Sequence, residues 1–157
     1  MPPKSPSESR VEMTQLVLPE HTNAIGTIFG GQIMAWIDTA AAICAYRHCR
    51  TQCVTASMDA LDFISPVKLG QIVIIRANVN YTGRTSMEIG VKVVSEDPLS
   101  GRYAHTASAY LTFVAVDNNG KPVEVTPILA QTEDEKKWYK EGEARRKTRL
   151  AQKKQNQ

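Results

Sequence analysis

A chain of 157 residues, 42% apolar and 22% charged, is long enough for one hydrophobic core and too short for two ordinary ones. No apolar run approaches the ~18 residues of a membrane-spanning helix, and the opening MPPKSPSESR lacks the hydrophobic stretch of a secretory signal, so the expectation is a cytoplasmic protein without membrane insertion. The net charge of +3 resides in the tail: from Glu133 onward 9 Lys/Arg stand against 5 Asp/Glu, which leaves residues 1–132 at −1.

In chain order, residues 1–10 are rich in Pro and Ser and are expected to be disordered. The run from Val11 to Pro19 alternates loosely, with Met13, Leu16 and Leu18 as its apolar positions, and predicts a strand. From Gly30 the apolar positions Ile33, Met34, Ile37, Ala41, Cys44 and Ala45 recur at intervals of three and four, the pattern of a helix with one buried stripe. It should end between Arg47 and Arg50, where basic side chains suit the negative end of the helix dipole. Cys44, Cys49 and Cys53 form no even disulfide framework, and with His48 among them they make neither a CxxC pair nor a second histidine ligand, so no metal is expected.

Beyond Cys53 the period changes from 3.6 to 2. VTASMDALDF leads to Ser65-Pro66, and GQIVIIRANVNYT meets TSMEIGVKVVSED through Gly83-Arg84, read as a type II′ hairpin turn with glycine first. RYAHTASAYLTFVAVD continues as a long strand, closed by Asn118, Asn119, Gly120 and Pro122. One helix followed by long strands predicts an α+β fold, an antiparallel sheet wrapped over a long central helix. Tyr81, Met87, Val91, Val93, Tyr110 and Phe113 offer more apolar surface than that helix can cover, which predicts pairing of an edge strand with a second subunit. After a linker from Asn118 to Thr132, mixed charges at helical spacing predict an appended C-terminal helix with solvated faces and no nucleic-acid partner. The expected organisation is therefore residues 1–10 as a disordered start, 11–130 as the domain and 131–157 as the charged helix and tail.

The stretch HTNAIGTIFGGQIMAWIDTAAAICA carries the candidate chemistry. A helix beginning at Gly30-Gly31 presents free backbone N–H groups and the positive end of its dipole to any ligand atom that a Cβ would otherwise block. Asp38, two turns later and beside the buried stripe, is a partly desolvated carboxylate suited to act as a general base or nucleophile. Asn23, in the preceding loop, supplies an amide able to orient water or donate to a carbonyl. Each residue also has a structural reading: the glycines as close-packing residues, Asp38 as a satisfied acid, Asn23 as a turn residue. GTIFGG is no phosphate-binding loop, since no Lys-Ser/Thr follows, and His21, His48 and His105 read as core or rim residues.

This stretch, together with VTASMDALDFISPVKLGQIV, YTGRTSMEI, RYAHTASAYLTFVAVDNNGKPVEVTP and TEDEKKWYKEGEARR, closely resembles the cytosolic acyl-coenzyme A thioesterases of the hotdog fold. These include the bacterial acyl-CoA hydrolases and the brain-type enzyme with two such domains in tandem. The resemblance, which runs from about Thr14 to Arg146, implies a hotdog dimer, commonly grouped as a trimer of dimers. It also implies an Asn and an Asp acting together across the dimer interface, matching Asn23 and Asp38, and a thioester carbonyl at the helix N-terminus, matching Gly30 and Gly31. The implied reaction is hydrolysis of acyl-CoA to a fatty acid and CoA, with no cofactor beyond the CoA of the substrate. For the CoA phosphates, Arg84 in the TGRTS turn, Lys68 and Arg102 are available cations, and Thr82, Gly83, Thr85 and Ser86 add polar and main-chain groups. A hotdog dehydratase is the rival within the fold, although His21 is the nearest histidine to the loop that would need one; a non-catalytic acyl-CoA or nucleotide sensor is the rival of another class.

Overall fold

A computed structural model of the chain describes residues 1–156. Its elements are β1 (Val11–Leu16), α1 (Gly30–Cys49), β2 (Gln52–Phe63), β3 (Ile72–Thr82), β4 (Ser86–Glu96), β5 (Tyr103–Val116) and α2 (Glu133–Gln155), with short 3-10 turns at Pro6–Glu8 and Pro19–His21. The five strands form one antiparallel sheet in the order β1-β3-β4-β5-β2, curled around α1 as expected of a hotdog. The period-2 pattern is satisfied: Val73, Ile75, Ala77 and Val79 of β3, Met87, Ile89, Val91 and Val93 of β4, and Ala107, Ala109, Leu111, Phe113 and Ala115 of β5 all face one core. Against them α1 buries Ile33, Trp36, Ile37, Ala40, Ala41, Cys44, Ala45 and His48. Three alanines in that stripe let the sheet close tightly over the helix. Met34, expected in the stripe, is 41% exposed; Trp36 and His48 take positions that the apolar spacing alone did not assign.

Residues 1–10 do not behave as the disordered start that their composition suggests. Lys4 exchanges backbone hydrogen bonds with Pro127 and Leu129, Pro6 and Ser9 are buried, and Glu8 accepts the Ser5 N–H at 2.7 Å. The reason is tertiary. His48, wholly buried at the last turn of α1, donates Nε2–H to the Thr126 carbonyl at 2.8 Å and offers Nδ1 to the Ser9 hydroxyl at 3.4 Å. One imidazole thereby ties the N-terminal segment and the segment before α2 to the central helix.

Burial lowers the His48 pKa from its ordinary value near 6.5, because the charged form loses its hydration. The unfolded chain therefore takes up this proton at a higher pH than the folded one. The His48 contribution is intact above the unfolded value and is lost as pH falls below about 6.5. Thermal melts of wild type are expected to drop as pH falls through this window, with a shallower drop in His48→Gln; parallel curves would remove His48 as the cause.

The charged tail departs further from expectation, because α2 is not solvated on all faces. Its inward stripe is Glu135, Trp138, Tyr139, Gly142, Arg145, Arg146 and Arg149, spaced at three and four but largely charged. Such a stripe is invisible to hydrophobic periodicity. The helix starts at a capping box in which Thr132 Oγ1 accepts the Glu135 N–H while Glu135 Oε1 accepts the Thr132 N–H. Gly142 marks the closest approach: a Cβ there would stand 2.9 Å from Cβ of Tyr81, whose ring packs edge-on against Tyr139. One turn on, Arg145 meets buried Glu88 through two hydrogen bonds of 2.9 and 2.6 Å and lies 3.6 Å over the Tyr110 ring. Tyr81 and Tyr110, expected from the sequence to face a second subunit, are thus covered by α2 within the chain.

Candidate active site

α1 begins without a side-chain cap. Phe29 takes the cap position, its carbonyl accepting the N–H groups of Gln32 at 2.9 Å and Ile33 at 3.4 Å, and among the described residues the N–H groups of Gly30 and Gly31 have no acceptor. A cavity of about 320 Å³ opens at this end, lined by Thr27, Ile28, Gly30, Ile33, Phe63 and Val67 among others. Close packing also explains one glycine: a Cβ on Gly31 would stand 2.6 Å from the Phe29 ring. The pair leaves free backbone donors beside an apolar cavity at a helix N-terminus, an arrangement suited to an oxyanion.

Asp38 sits half-buried on the flank of α1, where Thr55 of β2 donates its hydroxyl to Oδ1 at 2.8 Å. Thr55 escaped the sequence reading, because a lone Thr in a β-run is an ordinary strand residue. The only signal for it is positional, since it lies on the strand that returns along α1. With one lone pair region occupied by Thr55, the second oxygen, Oδ2, has no partner among the described residues.

Asn23 organises its own loop. Its Oδ1 accepts the N–H groups of Ile25 at 3.1 Å and Thr27 at 3.2 Å, and Nδ2 donates to Thr27 Oγ1 at 2.8 Å. That leaves one amide N–H for another acceptor. The loop is held from outside as well, since the His21 carbonyl accepts the Phe29 N–H, its Nδ1 accepts the Leu18 N–H, and its ring stands edge-on to Trp36 at 5.0 Å.

Within one chain no hydrogen bond links these three groups among the described residues. Gly31 and Asp38 are separated along the helix by about 10 Å of rise, too far for one reacting carbon to touch both. The structure brings Asp38 together with Thr55, and Asn23 with Thr27, but not Asn23 with Asp38.

The candidate CoA-binding residues fall into two groups at opposite ends of the β3–β4 hairpin. Lys68 lies at the α1 N-terminal end, in a bridge with Thr27, and Arg102 precedes β5, its carbonyl accepting the Asp97 N–H. Thr82, Gly83, Arg84, Thr85 and Ser86 form the connection at the other end, where Gly83 N–H donates to the Ser86 carbonyl at 2.8 Å. The expected type II′ turn is not formed, because Gly83 is not among the residues of positive φ. A Cβ at Gly83 would stand 2.5 Å from Nη1 of Arg146, whose guanidinium lies against the turn and would have to shift to admit it. By register Thr55 pairs with Phe113 and Phe113 with Met87, so this turn starts two strands, about 10 Å, from Thr55.

Among the described residues no group of three or more His, Cys, Asp and Glu side chains is placed to hold a metal, and no helix is long and apolar enough to cross a membrane. The Cys44 thiol, buried in the core, is pushed up to about 12 by desolvation and is no nucleophile at neutral pH.

Comparison with known proteins agrees with this architecture. The Thioesterase superfamily model matches residues 25–101. The uncharacterized acyl-CoA thioester hydrolase YkhA of Bacillus subtilis is 45% identical over 128 residues, covering 82% of this chain and 74% of the relative. Against the longer acyl-coenzyme A thioesterase 11 of mouse, at 43% identity, the chain spans 24% of the relative. A hexameric acyl-CoA thioesterase solved without ligand superposes with a TM-score of 0.93 at 42% identity, covering 97% of both chains. The acyl-CoA hydrolase of Staphylococcus aureus, solved with butyryl-coenzyme A and coenzyme A, has a TM-score of 0.89 at 41% identity over 99% of this chain and 96% of that one. Alanine variants of that enzyme at an asparagine, an aspartate and a threonine have also been solved, and the three are spaced as Asn23, Asp38 and Thr55 are here. The chain belongs to the acyl-CoA thioester hydrolases of the thioesterase superfamily.

Proposed function

We propose that this protein hydrolyses acyl-CoA thioesters to the free acid and CoA at a site shared by two subunits. The observation that carries the reading is the Asp38 carboxylate, braced by Thr55 on one oxygen, about 10 Å along α1 from a bare helix N-terminus that it cannot serve in its own chain. Two antiparallel α1 helices packed across a dyad bring Asp38 of one protomer opposite Gly31 and Asn23 of its partner. The surface is suited to that pairing: β2 is a sheet edge, and Val54, Phe63, Ile64, Phe29 and Ile25 on and beside it are 52–83% exposed. A trimer of such dimers agrees with the hexameric relative.

In this arrangement the thioester oxygen accepts the Gly31 N–H, with Gly30 beside it, and the free amide N–H of Asn23 holds either the carbonyl or the attacking water. Asp38 removes a proton from that water as it adds to the carbonyl carbon; collapse of the tetrahedral intermediate breaks the C–S bond, and the proton passes to the departing CoA sulfur. Direct attack by Asp38, giving a mixed anhydride that water then cleaves, uses the same geometry. The acyl group enters the apolar cavity at Gly30, and the nucleotide end of CoA runs toward the Thr82–Ser86 turn; Lys68 and Arg102 lie toward the other end of the β3–β4 hairpin. No group other than the CoA of the substrate is required, and a cytosolic location suits three free cysteines.

A thiol-release assay over acyl-CoAs from acetyl to palmitoyl tests the reading. Stoichiometric release of CoA and free acid is expected, and binding of acyl-CoA without thiol release would make the protein a sensor instead. Addition of water across an enoyl-CoA, with no thiol released, would make it a dehydratase.

A further inference from the structure

β2 breaks its own alternation just before it reaches the cavity at the start of α1. Asp59 pairs with Tyr110 and Asp62 with Ser108, so three steps along β2 face two along β5, the mark of a β-bulge. Ala60, inside the bulge, takes a φ of 50°, a left-handed backbone that crowds an L side chain. The extra residue decides which side chain turns inward. Phe63 pairs with Ala107, which is wholly buried on the core side of β5, and paired residues point to the same face of a sheet. In an unbulged strand Asp62 would take that pairing and Phe63 would point outward. The bulge thus sets a phenyl ring, instead of a carboxylate, at the N-terminus of α1.

The ring is held in that place. The Ile64 N–H donates to the Thr106 carbonyl at 2.7 Å and the Ser65 hydroxyl to the His105 carbonyl at 3.0 Å, so the chain just past Phe63 is pinned to β5. Phe63 Cζ lies 3.7 Å from the point where a Cβ on Gly30 would stand, which puts the ring against the first turn of the helix. There it walls the cavity of about 320 Å³ together with Ile28, Ile33 and Val67. That volume is at the low end of the ~300–1,000 Å³ of small-molecule sites. We infer that Phe63, turned inward by the bulge at Ala60, is the wall that limits the acyl chain and makes the enzyme selective for short and medium acyl groups over long ones. The inference rests on the hydrolase reading for the thioester and adds the residue that sets chain length. A long chain needs the space that the ring occupies, and each methylene kept out of an apolar site forfeits its burial, whereas a short chain ends before the ring. Backbone strain such as that at Ala60 persists where the surrounding structure requires one particular aim of a side chain.

The test compares wild type, Phe63→Leu and Phe63→Ala in thiol release over acyl-CoAs from acetyl to palmitoyl. Alongside it, calorimetric titration with S-butyl-CoA and S-hexadecyl-CoA, thioethers that cannot be hydrolysed, reads chain-length preference without catalysis. In wild type kcat/KM should fall from butyryl- to palmitoyl-CoA. Phe63→Ala should raise the palmitoyl-to-butyryl ratio of kcat/KM about tenfold or more, with Phe63→Leu between the two, and the Kd of S-hexadecyl-CoA should fall relative to that of S-butyl-CoA in the same order. Phe63→Leu, which keeps an apolar side chain beside the β2 edge, decides the matter if the alanine variant fails to assemble. A ratio unchanged in the variants, a parallel loss at every chain length, or a wild type that prefers palmitoyl overturns the role of Phe63. Absence of thiol release by wild type with every acyl-CoA would sink the hydrolase reading instead, and the thioether titration would still show whether Phe63 measures the chain.

Discussion

Replacing Asp38 with alanine is expected to lower kcat for acyl-CoA hydrolysis roughly a thousandfold, the range lost when a general base is removed, with little change in melting temperature. Stability should hold because Asp38 is half-buried and, among the described residues, its one hydrogen bond is from the Thr55 hydroxyl, which solvent can replace. Thr55→Ala should cost about tenfold, since the carboxylate remains but loses its brace. The proposed sharing of the site between two subunits has a sharper signature. When Asn23→Ala and Asp38→Ala protomers are mixed before assembly, each mixed dimer contains one site with both lesions and one with neither. About a quarter of wild-type activity should then return for random pairing. If Asn23 and Asp38 served the same substrate from one chain, the mixture would stay inactive.

The second large effect is on stability and comes from Arg145→Ala. Glu88 is 3% exposed and its carboxylate is held by Arg145 through two hydrogen bonds, with Asn80 Nδ2 donating a third at 3.0 Å. Removing the guanidinium leaves a buried charge without its counter-ion, a change that typically costs about 3–5 kcal/mol. For a domain of this size the melting temperature should fall by roughly 10 °C. Glu88→Gln placed in the same chain should recover much of that loss by removing the stranded charge, and a double variant no more stable than Arg145→Ala alone would show that packing on Tyr110, not the ion pair, is what Arg145 supplies.

Both predictions depend on residues that differ in how they announce themselves along the chain. The hotdog layout was legible because its signals are local: a 3.6 period from Gly30 to Cys49, a 2 period through β2 to β5, and Gly or Pro clusters between them. Gly30-Gly31, Asn23 and Asp38 were legible as candidates for the same reason, since glycines at a helix start and a carboxylate on an apolar helix break local rules visibly. Thr55 breaks no rule, and its meaning arises only when β2 folds back along α1. Arg145, Arg146 and Arg149 read as solvent-facing because charge is normally excluded from packed faces, yet each meets a group far away in sequence: Glu88, the Gly83 turn and Asp59. The same holds for His48, which turned a Pro/Ser-rich start into an ordered one. Local period and helix-terminus chemistry thus determined the architecture and the catalytic candidates, while pairing of buried polar groups across the sheet, which depends on distance in space, was decided by the tertiary structure.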